Sequence, residues 1–376
     1  MRVTFVSNYF SHHQRPLSDA LDELTQGEFR FIATQRAPQE RSSLGWEVLD
    51  LPEYVSEGLD GHLSTDDIKW LLSSDVLLFG SAPEHLLKSF LAMDGLAFRY
   101  SERPLKTGDA LFKRVPRWVR WHMRNPEGKR LYLLSAGAYA ATDYAKYGLF
   151  RRRAYKWGYF PPFEVHTDVG ELIASKRPSS ILWCGRFLEW KHPDLAIQAA
   201  VDLKAAGYDF MLDLVGEGPM ESELRKAVES QSLQSNVHVL SPCANAAMRQ
   251  LMNQTQVFLF TSDYQEGWGA VLNEAMNGAC AVVASEMAGS TPYLLQDGVN
   301  GFTCEELRAE SYATRIAQLL DKERTRDRLA TEAYRTVAEV WNARIAAQRL
   351  LELSTAILDG DESPELFKDG PCSKAE

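Results

Sequence analysis

Ile181-Leu182-Trp183-Cys184-Gly185-Arg186-Phe187-Leu188-Glu189-Trp190-Lys191 begins as a short apolar run, turns at a glycine and continues as a polar loop. A four-residue apolar run closed by glycine reads as a buried strand, and residues 193–206, which open on a proline, read as the helix that follows. The same grammar recurs downstream. Strands at 210–215, 237–240 and 257–261 alternate with helices at 220–230 and 244–253. Strands that alternate with helices make a parallel sheet covered on both faces, the doubly wound α/β class. A helix at 272–277 closed by Gly278, a strand at 281–285 and turns at 289–292 and 297–302 complete the series, and the chain is expected to be helical from 306 to about 358.

Upstream the pattern repeats. An apolar strand at 2–6 leads through a polar loop, 7–16, into a helix marked by Leu17, Leu21 and Leu24, and strands at 29–33, 76–80, 95–98 and 131–135 follow with helices at 83–91 and 138–147. A chain of 376 residues exceeds what one core usually organises. Two Rossmann-like domains are therefore expected: 1–165 and 166–340, with a terminal helix at 341–360 that crosses back to brace the first. The polar, proline-bearing stretch 159–180 reads as the linker, and the residues from Glu362 onward as a frayed end.

Composition narrows the class. Charged residues make up 24% of the chain, no low-complexity tract interrupts it, and five cysteines show no paired spacing. Neither a zinc site nor a disulfide framework is expected, and a cytoplasmic protein is. No apolar run approaches the ~18 residues of a membrane span. The net charge is −10, yet residues 99–156 hold fifteen Lys or Arg against four Asp or Glu. Within that region Leu111, Val115, Trp118 and Val119 fall at helical spacing, with Lys113, Arg114, Arg117, Arg120 and Arg124 between them. Residues 111–130 thus read either as a basic amphipathic helix on an anionic membrane surface or as a core-facing helix with a solvated basic face. Nucleic acid is not an expected partner of this acidic chain.

The chemistry concentrates at the carboxyl ends of the second series of strands, where open α/β sheets bind ligands. After strand 257–261 comes Glu266-Gly267-Trp268-Gly269-Ala270-Val271-Leu272-Asn273-Glu274, two glutamates eight residues apart around a glycine-bearing loop that opens a helix. The helix N-terminus and Gly267, Trp268, Gly269, Ala270 and Val271 suit a phosphate. Glu274 is placed to accept from two ribose hydroxyls, and Glu266 to face a sugar. At the end of strand 181–184, Arg186 and Lys191 suit the oxygens of a diphosphate leaving group without a metal. Gly216 and Gly218 add a weak third loop. Glu266 and Glu274 taken alone also fit a solvated loop and a surface helix. Trp183 and Trp190 read as packing residues.

Together these elements resemble the retaining nucleotide-sugar glycosyltransferases of family 4, bacterial members included, which have the GT-B fold: two Rossmann-like domains facing across a cleft. The resemblance is clear over 180–302. It implies that Arg186 and Lys191 hold the donor diphosphate, Glu274 the ribose and Glu266 the transferred sugar, with Gly289, Ser290 and Thr291 near the phosphates. It also implies retention of anomeric configuration, a nucleotide-sugar co-substrate (UDP-sugar first) with no cofactor, and domain closure over the donor. A glycan or lipid-linked acceptor of the surface-polysaccharide or lipopolysaccharide type would place the enzyme in the cytoplasm or peripherally on the inner membrane face.

The first domain departs from the family pattern. Asn8 to Gln14 is similar to a motif of a bacterial subgroup of the family, yet the first loop, Ser11 to Pro16, has His12 and His13 and no glycine, and after strand 95–98 the chain offers Arg99-Tyr100-Ser101-Glu102-Arg103 rather than the family's histidine. His12, His13, Glu102 and Arg103 are the candidates for sugar or acceptor contacts. The histidines fit a loop cap equally well, and Arg99, Glu102 and Arg103 also fit a surface ion cluster. An epimerase or phosphorylase of the same fold, or a catalytically idle nucleotide-sugar-binding scaffold, are the competing readings.

Overall fold

The structure, a computed structural model, describes residues 1–36, 50–58 and 62–375. The chain divides into two compact units, Met1–Pro162 with Trp341–Glu376, and Phe163–Val340.

Among its described residues the first unit has seven parallel strands: β1 (Val3–Ser7), β2 (Phe29–Ala33), β3 (Val55–Glu57), β4 (Val76–Phe79), β5 (Leu96–Glu102), β6 (Leu131–Ala136) and β7 (Ala154–Trp157). They lie in the order β3-β2-β1-β4-β5-β6-β7, so the direction of winding reverses between β1 and β4. All five residues of β1 are buried, as a parallel strand covered on both faces requires. Its two polar side chains are both satisfied: the Thr4 hydroxyl meets Ser74 Oγ at 2.7 Å, and Ser7 Oγ donates to Asn8 Oδ1 at 3.2 Å. Helices α1 (Arg15–Leu24), α2 (Thr65–Leu72), α3 (Glu84–Ala92), α4 (Arg114–Arg124) and α5 (Ala138–Ala145) lie between the strands in sequence.

In the second unit, α6 (Val169–Ala174) precedes β8 (Arg177–Cys184), α7 (Pro193–Ala205), β9 (Met211–Val215), α8 (Glu221–Ser230), β10 (Val237–Leu240), α9 (Asn245–Asn253), β11 (Thr255–Phe260), α10 (Val271–Asn277), β12 (Ala281–Ser285), α11 (Thr291–Leu294), β13 (Phe302–Cys304), α12 (Ala309–Asp321) and α13 (Glu323–Glu339). The six parallel strands run β10-β9-β8-β11-β12-β13, again with a reversal beside the first strand, between β8 and β11. Trp183 and Phe187 stand in its core with Leu195, Leu212 and Val257. The helical region is not continuous. It is interrupted at Lys322, and α13 ends at Glu339 before α14 (Ala343–Leu358) returns the chain to the first unit. There α14 packs on α1, with Arg344 2.8 Å from Glu23.

Several sequence expectations are corrected. Residues 176–180 are not a linker: β8 begins at Arg177, paired in parallel with Thr255 of β11. Lys176 is buried, its ammonium donating to the carbonyls of Met252, Asn253 and Gly278, which end two helices. The end of the chain does not fray either. Cys372 and Ser373 are buried, and backbone bonds run from Lys156 N to Ser373 O (2.7 Å), Cys372 N to Lys156 O (2.9 Å) and Ala375 N to Ala154 O (3.1 Å). The tail thus covers the outer edge of β7, a row of backbone groups that would otherwise be unpaired. Strand β5 continues through Glu102 rather than ending at Phe98, because Arg99 to Glu102 pair in register with Leu133 to Ala136 of β6.

Candidate functional site

The reversal between β8 and β11 leaves a crevice beyond their carboxyl ends, and the loops that leave those two strands meet there. Thr261, just past β11, ties them together. Its hydroxyl accepts from Trp183 Nε1 at 2.8 Å and lies 2.7 Å from the Lys191 carbonyl and 2.9 Å from that of His192. His192 adopts a left-handed conformation (φ 49°) at the start of α7, and Asp263 N donates to the Trp190 carbonyl. Spacing alone did not mark Thr261 or Asp263. The available signal was their place directly after a strand at the reversal.

On this frame the expected residues assemble. Lys191 Nζ sits 2.5 Å from Glu266 Oε2, both side chains largely buried, and Ser262 Oγ donates to the same carboxylate at 3.2 Å. The ammonium also stacks over Trp190, 4.5 Å from the ring centre. Arg186 is exposed and makes no side-chain hydrogen bond or ion pair among the described residues. Glu274 lies in the first turn of α10, where loss of hydration pushes its carboxyl up to about 7 against the opposing influence of Arg249. Its charge is felt by the buried Cys184 thiol at the end of β8, raised chiefly by burial.

The glycines are largely explained by the fold. A Cβ at Gly216 would stand 1.9 Å from the Gly185 carbonyl oxygen, and one at Gly218 2.6 Å from that of Phe187. Gly269 has φ +90° and lies against the Phe260 ring. A Cβ at Gly289 would fall 1.9 Å from Gly267 O, so the turn before α11 touches the loop before α10 backbone to backbone. Gly289 N donates to Glu266 O and Ser290 N to Trp268 O, which brings Gly267, Gly269, Ala270 and Val271 beside Ser290 and Thr291. The hydroxyls of Ser290 and Thr291 are buried with no partner among the described residues. Trp268 belongs to this loop through its backbone. Its indole is fully buried and donates to Asn273 Oδ1 at 2.9 Å, so only its backbone is offered to a ligand.

In the first unit, the corresponding loop after β1 carries His12 and His13, their rings 3.9 Å apart. Burial, reinforced by His12, holds His13 down at about 3, so it is neutral at ordinary pH. His13 stacks toward Tyr159 (6.4 Å), whose hydroxyl donates to Glu102 Oε1 at 2.8 Å, and Lys106 pairs with the other oxygen of that carboxylate. Nothing in the sequence singles out Tyr159, which stands in the polar, proline-bearing stretch that reads as a linker. Arg103 is drawn off to the buried Asp143, 3.3 Å away, and stacks on Tyr139. Arg99 does not belong to a surface ion cluster: it is buried, with a two-pronged bond to Glu84 (2.9 and 3.1 Å) and a third to the Arg124 carbonyl.

Residues 168–336 match the family model described as glycosyl transferases group 1. The chain is similar to the alpha-D-kanosaminyltransferase of Streptomyces kanamyceticus, 25% identical over 45% of this chain and 44% of that protein. It is likewise similar to the amylovoran biosynthesis glycosyltransferase AmsK of Erwinia amylovora, 28% identical over 48% and 45%. The matched region spans about half the length of these curated relatives. Among solved structures, Anabaena HepE in complex with UDP superposes with a TM-score of 0.70 at 15% identity, covering 95% of this chain and all of that one. The chain thus has the GT-B fold, and its residues 168–336 match the glycosyl transferases group 1 model.

Proposed function

We propose that the protein is a retaining glycosyltransferase that moves a sugar from a nucleotide-sugar, a UDP-sugar first, to a glycan or lipid-linked acceptor in the synthesis of a bacterial surface polysaccharide or lipopolysaccharide. The observation that carries this reading is the arrangement at the β8/β11 crevice. There an exposed, uncommitted Arg186 stands in the same loop as Lys191, with Glu266 on Lys191 and Glu274 one strand end away. As the bond from sugar to diphosphate breaks, negative charge grows on the leaving phosphate, and the two cations stabilise that charge more than they stabilise the ground state. Arg186 supplies a planar fork for phosphate oxygens. Glu266 holds Lys191 in place and offers its second oxygen to a sugar hydroxyl, while Glu274 accepts from the ribose. The buried hydroxyls of Ser290 and Thr291 are donors available to the phosphates. The relative named for amylovoran biosynthesis and the UDP complex of HepE support the acceptor class and the donor. His13, Tyr159 and Glu102 form the acceptor side, a polar group on the first unit's own strand ends.

The test is donor binding and slow donor hydrolysis across UDP-, GDP- and ADP-sugars, followed by thermal shift and nucleotide release, with Glu274→Ala beside the wild type. One donor class that stabilises the wild type and not the variant supports the assignment; no binding of any donor overturns it.

A further inference from the structure

We infer that α4 and the turn before it form a docking surface for an anionic lipid bilayer, a property separate from the transfer chemistry. Of the two readings the sequence allowed for residues 111–130, the core-facing one fails. Leu111 and Phe112 are 75% and 79% exposed, and Val115, Trp118, Val119 and Met123 all face solvent, while Trp121 alone of the helix is buried. At 3.6 residues per turn the exposed apolar residues of α4 cover an arc of roughly 140°, turned away from the side that meets the core. On that inner side Arg117 pairs with Asp109 and the Tyr147 hydroxyl, and Trp121 packs on Tyr144 and Tyr147. The helix is therefore held to its own unit by a few specific contacts and presents its apolar face outward.

A bilayer surface is the occupant that the charges select. Lys113 and Arg120 lie beside the apolar arc on one flank, while Arg114 is held by Asp109 at 3.0 Å, in a region that is strongly basic on a chain of net charge −10. Neither Lys113 nor Arg120 pairs with an acid among the described residues. A short helix with exposed Trp, Phe and Leu on one face and Lys and Arg along its borders sinks its apolar side to the depth of the headgroups, while the cations meet lipid phosphates. No helix among the described residues is long and apolar enough to cross a membrane, so this one lies on the surface.

The experiment is flotation of the full chain with vesicles of phosphatidylcholine alone and of phosphatidylcholine mixed with phosphatidylglycerol, at low and high salt. The wild type is expected to float with the anionic vesicles only, and less so at high salt. Phe112→Asp with Trp118→Asp, and separately Lys113→Glu with Arg120→Glu, are expected to lower that partition by roughly tenfold or more. The replaced residues are exposed, so an unchanged melting temperature certifies the fold of each variant. Failure of the wild type to float, or equal flotation of both variants, overturns the inference. So does light scattering that shows a wild-type dimer broken by the apolar pair, since the face would then be covered by a second copy. Flotation needs no donor and donor binding needs no vesicle, so the two readings fail separately.

Discussion

Lys191 and Glu266 form a close ion pair across the β8/β11 crevice, and Ser262 completes the carboxylate's partners. Removing one member of such a pair leaves the other poorly hydrated and unpaired. Lys191→Met is expected to destabilise the second unit by about 1–3 kcal/mol and to lower kcat by roughly 10²–10³. The double variant Lys191→Met with Glu266→Gln recovers most of the stability and none of the turnover. Denaturant melts and initial rates on the same samples check both; a double variant as unstable as the single one would show that the pair is not coupled.

Arg186 behaves differently because it is exposed and uncommitted. Arg186→Ala is expected to leave the melting temperature within a degree or so and to weaken donor binding roughly ten- to a hundredfold. Calorimetric titration with the nucleoside diphosphate alone reads this, since the lost contacts are to phosphate.

Glu274 makes ligand-free stability depend on pH. Its carboxyl is raised to about 7 in the fold from an ordinary 4.5, so between those values the folded chain binds the proton more tightly than the unfolded one. Its contribution to stability is fully present below about 4.5 and is lost as pH rises through 7, a change of about 3 kcal/mol. Glu274→Gln is expected to flatten the fall. Donor affinity runs the other way: ribose hydroxyls donate to the ionised carboxylate, so binding strengthens as pH rises toward 8. A pH series of melts and titrations in wild type and variant tests both signs.

Gly289→Ala is expected to be more damaging than an exposed glycine change, because the new methyl would lie 1.9 Å from the Gly267 carbonyl oxygen. Separating the two loops costs about 2 kcal/mol or more and moves Ser290 and Thr291 from the loop of Glu266. Gly298→Ala, where nothing stands within 4 Å, serves as the control, with only the strain of φ +71° to bear. Thermal melts and donor binding of the two variants should separate clearly.

Deleting the residues after Gly370 removes Cys372 from a buried position and uncovers three backbone partners on β7. A fall in the first unit's melting temperature of roughly 4–10 °C is expected, with donor binding by the second unit retained. Equal stability of the shortened chain would mean that the tail contributes nothing.

What the sequence made legible was whatever is encoded over short distances. Residues 181–191 and 257–274 announce strand, loop and helix in consecutive positions, and these are the segments that build the crevice. Arg177-Pro178-Ser179-Ser180 reads as a linker because its composition is polar; it becomes a strand through pairing with Thr255, some eighty residues away in the chain. The same holds for Pro371 to Lys374, which have no strand signal of their own and are fixed by the backbone of residues 154–156. Arg99 looked like a surface charge because Glu84, which makes its burial tolerable, lies on another element. Thr261 and Tyr159 escaped notice since neither belongs to a charged motif; each matters through the group that it holds in place.

The division of the chain also bears on the order in which it folds. The second unit is one unbroken segment, Phe163–Val340, whereas the first unit draws both on the start of the chain and on everything after Trp341. During synthesis the second unit has all its strands once residue 304 has emerged. The first must hold α1 without α14, and β7 with a bare edge, until residues 343–375 have emerged as well. The crevice with Lys191 and Glu266 is therefore the part of the molecule that can be finished early, and the face with His13 and Glu102 belongs to the part that closes last.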